Sequence, residues 1–349
     1  MPYNSNRLYF PLHYIAIGGY CTASGYPVHG VQSLTMNTNF NLEQAFELGQ
    51  LEIYENIEGL PSVDITAEKV LDGYPLMYHL SSIQSTSASL ANRTSQRCDV
   101  FVSYFTDAND NASGAPNMQV YCSGMYVNSL TYRFPVEGFC TENINLVGND
   151  KIRIASGTTW HGRSGFVFNG HFDGNDSPAS GIQRRQHVKM GSAANGGSVW
   201  PRNIPGMTTV NGSGYNMETG SSYDVHLSDV EVSVSLNRSD LLELGRRKPY
   251  YRYAQFPTAV SCTINRANGG ASVDDGIEAY ADRESNLSNE PIMIKISDGT
   301  VFDLGNKNKL LSCAQQGGDT GGGVGTISYQ YQNFNKFDVS SLNDPNPVL

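Results

Sequence analysis

Residues 31–61, VQSLTMNTNFNLEQAFELGQLEIYENIEGLP, and residues 227–257, LSDVEVSVSLNRSDLLELGRRKPYYRYAQFP, decide the fold. Laid over one another at a shift of 196, they put Asn41 on Asn237, Glu47-Leu48-Gly49 on Glu243-Leu244-Gly245, Tyr54 on Tyr250 and Pro61 on Pro257. Ahead of these, Met36, Thr38 and Phe40 fall on Val232, Val234 and Leu236, always at alternate positions. A register without gaps over this span reads as an internal duplication; chance convergence of short motifs is the alternative. Each copy reads as a strand, a short helical turn stopped by glycine, a tyrosine-bearing segment, then Leu-Pro or Phe-Pro leading into another strand.

Outward from the repeat, apolar and polar residues alternate along Val31–Phe40, Gln119–Tyr126, Leu130–Val136, Asp229–Leu236, Pro291–Ile296 and Thr326–Phe334. Period two marks strands with one polar face. Helix signals are few: Thr66–Leu71 with a threonine cap, and one or two turns at Leu42–Leu48 and Ser239–Leu244, closed by Gly49 and Gly245. The expectation is a mainly β protein: residues 1–154 form one β domain, 224–349 form a second copy, and the Gly/Ser/Asn-rich tract 155–223 forms an interdomain arm or insertion. A structureless loop of that length is unusual inside a compact domain, so the tract reads as an ordered decoration or an arm that orders on assembly. Its basic cluster, Gln183–Lys189 (QRRQHVK), reads as a solvated face or an interface ion pair. Gly317–Gly325 reads as a hairpin tip; no Gly-Lys-Ser/Thr follows, which excludes a phosphate loop.

The composition agrees. Of 349 residues only 16% are charged, while Gly numbers 36 and Tyr 20. Long amphipathic helices need the missing Lys and Glu, and no heptad run supports a coiled coil. The net charge of −10 argues against tight binding to nucleic-acid phosphates. No apolar run is long enough for a membrane-spanning helix. Residues 1–20 do not read as a secretory leader, and six scattered cysteines without a C-x-x-C pair read as reduced thiols, so synthesis in the cytoplasm is expected.

Catalytic and metal motifs are missing. His161, His171 and His187 lie 10 and 16 residues apart in glycine-rich sequence, which offers no ligand geometry. Phe172-Asp173-Gly174-Asn175-Asp176 lacks the spacing of a calcium loop, and no G-x-S-x-G elbow occurs. Asp274-Asp275 is an acidic pair of unreadable separation. No enzyme activity, metal or cofactor is expected.

Three segments together carry a resemblance: Asn39–Leu80, Ser123–Lys151, with a Phe-Pro-Val-x-Gly turn and a Thr-Glu-x-x-x-Leu-Val-Gly-Asn strand, and Ser235–Ile264. They resemble the tail tube proteins of tailed bacteriophages, over roughly a third of the chain. The resemblance implies two tandem tail-tube-like antiparallel β-sandwich or barrel domains with short helices, assembling into stacked rings around a central channel through which DNA is ejected into the host. Family rings are usually sixfold, so a duplicated subunit would close a pseudo-sixfold ring from three chains; a hexamer of one long-decorated copy is the alternative. It implies a virion location in the tail, after assembly in the host cytoplasm. The partners implied are further copies of the chain, a tape measure protein, a tail terminator and baseplate or distal tail proteins. DNA would pass through the lumen without specific binding, and no membrane is involved.

On this reading Leu34, Met36, Phe40, Tyr132, Val232, Val234, Tyr329 and Tyr331 belong to channel-forming strands. Glu47, Gly49, Tyr54, Pro61, Arg246, Arg247, Tyr250, Arg252 and Pro257 belong to subunit or inter-ring contacts, where Arg246, Arg247, Lys248 and Arg252 would meet the Glu43/Glu47/Glu52/Glu55 set of another copy. Two other readings stand: a ring protein of the baseplate or neck, and, from another class, a β-sandwich that binds or cleaves carbohydrate.

Overall fold

The computed structural model describes residues 8–22, 24–106, 116, 118–155, 167–168, 179–190, 196–201, 204, 227–246, 248–267, 287–317 and 325–345. The chain is mainly β. Its first half holds β1 (Leu8–Gly19), β2 (Ser24–Pro27), β3 (Val31–Asn39), β4 (Leu42–Phe46), β5 (Ile53–Glu58), β6 (Ser62–Val70), helices α1 (Met77–Ser81) and α2 (Leu90–Ser95), β7 (Cys98–Thr106), β8 (Met118–Pro135), β9 (Thr141–Gly148) and β10 (Ile152–Ala155). After β11 (Val167–Phe168) come β12 (Leu227–Ser235), β13 (Arg238–Leu241), β14 (Tyr251–Ala254), β15 (Ala259–Ala267), β16 (Met293–Lys295), β17 (Val301–Asp303), β18 (Lys309–Gln316), β19 (Thr326–Phe334) and β20 (Asp338–Ser340).

Eight of these strands form one antiparallel run, β3-β6-β9-β8-β12-β15-β19-β18. The run is two four-stranded units in identical order: in each, the strand order in space is first, second, fourth, third in sequence. The repeat extends to single residues. β3 and β12 both start and end 196 apart, and the two arms pair alike, Leu42↔Glu58 matching Arg238↔Ala254 and Ala45↔Glu55 matching Leu241↔Tyr251. One extra residue, Thr258, follows Pro257, so β6 and β15 are 197 apart. The third and fourth strands carry the same bulge, between Val127 and Ser129 in β8 and between Leu310 and Ser312 in β18. Both arms begin at an asparagine with positive φ, 46° at Asn41 and 41° at Asn237, and both turn through a glycine, φ 102° at Gly49 and 83° at Gly245. Asparagine and glycine adopt this left-handed backbone at the lowest steric cost.

One face of the run is packed. Val63, Ile65 and Ala67 on β6, Ile144 and Leu146 on β9, and Val260, Cys262 and Ile264 on β15 are buried in one hydrophobic core. β8 is long enough to belong to two sheets: its first half pairs with β7 and β10, its second with β9 and β12. Through β7 it carries β1 and β2 over the same core. The small β16-β17-β20 sheet adds Phe302 and Val339, with Phe302 4.6 Å from the Tyr132 ring.

Beneath α1 lies a polar knot. Glu142 is fully buried and accepts the backbone N–H groups of Met77 at 2.7 Å and Tyr78 at 3.0 Å, and the Tyr132 hydroxyl at 2.8 Å. A carboxylate there satisfies donors that a five-residue helix leaves open at its start. Burial pushes its carboxyl up, against the pull of Lys69 and these hydrogen bonds. Arg93 on α2 ties Asp344 at 2.7 Å, pinning the chain's last described turn against the helices.

The three helix readings are corrected. Thr66–Leu71 runs almost wholly within β6, where Ala67 and Lys69 point inward and Thr66 and Glu68 outward. Its Ala, Glu and Lys favour helix locally, but pairing with both β3 and β9 overrides a propensity of tenths of a kcal/mol. Leu42–Leu48 contains β4 and Ser239–Leu244 overlaps β13, the outgoing strands of the two arms. The helices that do form, α1 and α2, lie outside the expected segments. The readings Gln119–Tyr126 and Leu130–Val136 merge into the single strand β8. Of 155–223 only short pieces are described; His161, His171, Asp173 and Asp176 lie outside them, as do Asp274, Asp275 and the tip of the Gly317–Gly325 hairpin.

Candidate subunit interface and channel face

The second face of the eight-stranded run is open and almost uniformly uncharged-polar. It runs from Thr35 and Asn37 on β3, through Asn145 and Thr131, to Gln330 and Ser312 on the far side. Side chains link across it: Asn128 donates to Asn145 at 3.0 Å, Asn145 to Thr66 at 3.1 Å, and Ser312 to Gln330 at 3.1 Å. Its charges are Asp64, Glu68, Asp229 and Glu231 against Arg133 and Lys309, net −2, and Arg133 is drawn to Asp229 at 3.4 Å. Such a face, with few cations and a net negative charge, offers phosphates little to hold.

The expected channel-strand residues sit on this sheet but on its packed face. Tyr132, Val232, Val234, Tyr329 and Tyr331 are buried, and Leu34 and Met36 are half-buried. The residues between them form the open face. Phe40, just past the end of β3, is 62% exposed.

Among the described residues the run has two unpaired edge strands, β3 and β18. Midway along it, the strands equivalent to those two are paired: β8 matches β18, β12 matches β3, and β8 and β12 hydrogen-bond over seven residue pairs from Asp229↔Pro135 to Ser235↔Ser129. At this internal seam Val230, Val232, Val234, Leu130, Tyr132 and Phe134 are buried. At the free ends the counterparts are open: Leu236 is 0% exposed and its equivalent Phe40 62%, while Leu130 is 1% exposed and its equivalent Cys313 lies exposed. Leu311, on the bulge of β18, is 59% exposed.

The arms leave the same end of the sheet, since β3 and β12 run in the same direction. The β13-β14 arm lies against the first unit. Arg238 donates to the carbonyls of Val127 and Thr94 and stacks 4.7 Å above the Tyr126 ring. Burial lowers its guanidinium to about 10, still charged at neutral pH. Tyr126 and Tyr251 meet edge to face at 6.4 Å, and Arg252 reaches Asn149 at 3.2 Å. The equivalent β4-β5 arm shows Phe46, Leu48, Leu51, Tyr54 and Ile57 to solvent.

The expected interface residues fall on these arms or at their roots. Glu47, Gly49 and Tyr54 are on the first, with Pro61 at its root; Arg246, Tyr250 and Arg252 are on the second, with Pro257 at its root. Arg247 lies outside the described residues. Arg252 is bound to Asp240 opposite it, Arg246 pairs with Glu243 at 2.8 Å, and Lys248 lies 3.5 Å from Asp150. The two arms differ in charge: residues 42–58 hold five glutamates and no cation, and residues 238–254 hold five cations and two acids. Sequence reasoning reached the arms but did not mark the exposed Leu311 and Cys313, whose place on the last strand of the run only the strand pairing shows.

Among the described residues no group of three metal-ligating side chains converges, and no helix is long and apolar enough to cross a membrane. No protein-family profile and no curated protein matches the chain. Among solved structures, a chain in the cryo-EM structure of the anti-feeding prophage (AFP) baseplate, 6-fold symmetrised, aligns over 97% of its length with 43% of this chain, at a TM-score of 0.33 and 9% identity.

Proposed function

We propose that the chain is a structural subunit of a phage tail tube, polymerising into stacked rings whose channel passes DNA. The observation that carries the reading is the tandem sheet: a seam satisfied once inside the chain, and the same two strand edges left open at its ends. Open strand edges that are long and flanked by apolar residues pair with other chains. A head-to-tail pair of this kind closes into a ring when its rotation allows.

The resemblance of three segments to tail tube proteins supplies the symmetry, three chains standing for six units. Three such chains would line up 24 strands; at ~4.8 Å spacing the circumference is about 115 Å and the diameter about 37 Å, before strand tilt widens it. The open face, polar and slightly acidic, would then line the channel and let DNA slide without sticking. In this reading the protein is not an enzyme and holds no cofactor. It assembles in the host cytoplasm and acts in the virion, between a tape measure protein inside and terminator and distal tail proteins at its ends.

The test is negative-stain electron microscopy of the purified chain at high concentration, with native mass spectrometry of the rings. Stacked rings of three chains are expected. Rings of six chains would sink the pseudo-sixfold arrangement. Isolated rings would move the chain to the baseplate or neck, and single particles to a carbohydrate-binding sandwich.

A further inference from the structure

We propose that β18 of one chain pairs with β3 of a second copy in the register that β8 and β12 use within the chain, placing Thr38 opposite Cys313, Asn37 opposite Ala314 and Met36 opposite Gln315. The inference rests on the ring-forming reading and names the partner surface that reading leaves open.

The register follows from the repeat. Val234 lies opposite Leu130, Ser233 opposite Thr131 and Val232 opposite Tyr132. β12 maps onto β3 by a shift of 196. β9 maps onto β19 by 185, since Ile65↔Leu146 corresponds to Cys262↔Tyr331. β8 then maps onto β18 by 183, since Val127↔Leu146 corresponds to Leu310↔Tyr331. The shared bulge makes this last shift unambiguous, because a slip of one residue would turn every side chain to the wrong face.

The same mapping gathers the exposed apolar residues of the free ends. Leu236 donates its N–H to the Asn128 carbonyl at 3.0 Å, so Phe40 would donate to that of Leu311. The β4-β5 arm would lie on the second copy as the β13-β14 arm lies on its own chain. Leu42 then stands where Arg238 stands, and Phe334 where Asn149 stands. Phe40, Leu42, Leu311 and Phe334 are each 58–62% exposed in the single chain and share one seam in the pair. Glu55 takes the place of Tyr251, and Lys309 that of Tyr126, so an aromatic contact inside the chain becomes an acid–base contact between chains. Opposite charges at this point fix which edge meets which.

Thr38→Cys in a Cys21→Ser background, assembled and then mildly oxidised, tests the register with the native Cys313 as partner. Paired strands hold opposite Cα atoms within disulfide reach. Within one chain the two positions lie seven strand spacings apart, roughly 34 Å along the sheet, so any bridge joins two chains. A reducible ladder ending at a closed trimer is expected, as is slower alkylation of Cys313 in assemblies of the unmutated chain than in dilute protein. Asn37→Cys, facing the other side, is expected to give no bridge. A bridge from Asn37→Cys instead, or assemblies in which Thr38→Cys stays unbridged and Cys313 stays reactive, would overturn the register. Bridged open filaments without rings would keep this seam and sink the ring-forming reading.

Discussion

The clearest test pits two equivalent residues against each other. Phe40 and Leu236 occupy the same position in the two copies, but Leu236 is 0% exposed and Phe40 62%. Leu236→Ala hollows a packed seam within the chain and is expected to cost about 2–5 kcal/mol of folding stability. Phe40→Ala removes a ring that mostly meets solvent, so the dilute monomer is expected to melt within about 0.5 kcal/mol of the unmutated chain. Its cost appears on assembly. A phenylalanine offers about 200 Å² of burial; the exposed share, about 120 Å², at 25 cal/mol per Å² gives about 3 kcal/mol per seam. That is about a hundredfold in seam affinity, repeated at every chain–chain contact. Differential scanning fluorimetry at low concentration measures the first quantity, and sedimentation across a concentration series the second. The reasoning fails if Phe40→Ala destabilises the monomer as much as Leu236→Ala does, or if it leaves the assembly midpoint unmoved.

Glu142→Ala is expected to lower monomer stability by about 3–5 kcal/mol, measured by urea unfolding, because it strands the two N–H donors of α1 and the Tyr132 hydroxyl and leaves the buried Lys69 with Asp72 alone as its acid neighbour; Glu142→Gln keeps the acceptor and is expected to lose less. Burial holds His79 down to about 4, against an opposing pull from Asp344, so between about pH 6.5 and 4 the unfolded chain takes up the extra proton. The His79 contribution is therefore complete above pH 6.5 and falls by about 3 kcal/mol as the pH drops to 4. Glu142, whose carboxyl is pushed up, acts in the opposite sense, so comparing pH-dependent melting of the parent with His79→Gln isolates the histidine, and a variant with an unchanged slope would refute the assignment. Arg252→Ala breaks the bond to Asp240 and the reach to Asn149, and is expected to cost the monomer about 1 kcal/mol while loosening the β13-β14 arm, seen as faster amide exchange at residues 238–254.

Much of the sheet was legible because its strands alternate cleanly. VEVSV in β12 and the segment from Thr326 in β19 show period two with no competing signal, and both strands run where expected. The arms were misread for a physical reason: Glu, Gln, Ala and Leu in LEQAFEL favour a helix in isolation, and the pairing that makes them a ribbon lies across Gly49. Thr66–Leu71 failed likewise, its strand state set by pairing with β3 and β9, which no local window contains. The duplication was visible at a shift of 196 because the arms carry its identical residues. Its continuation into β8/β18 and β9/β19 was not, since tracts of different length separate the copies there and only hydrogen-bond register restores the shifts of 183 and 185. The candidate interface was half legible: motif residues marked the arms, but exposure of Phe40 against burial of Leu236 is a property of the folded sheet alone.

Fusion changes what each seam must do. The internal seam forms at the effective concentration of a tethered partner, so its residues answer to folding. It carries a half-buried arginine, an aromatic pair and a tight apolar stripe. In the proposed ring the outer seam would have to stay soluble before assembly and form between separate chains afterwards. Thr38, Cys313 and Gln315 stand at the positions equivalent to Val234, Leu130 and Tyr132, and in the proposed pair the apolar contact would pass outward to Phe40, Leu42, Leu311 and Phe334. A polar stripe flanked by apolar residues weakens non-specific edge pairing while still favouring the partner in register. Restoring the internal pattern, with Thr38→Val, Cys313→Leu and Gln315→Tyr together, is accordingly expected to strengthen chain association and to raise the insoluble fraction on expression. Tighter assembly with unchanged solubility would refute the view that these polar residues are there to keep the free edges apart.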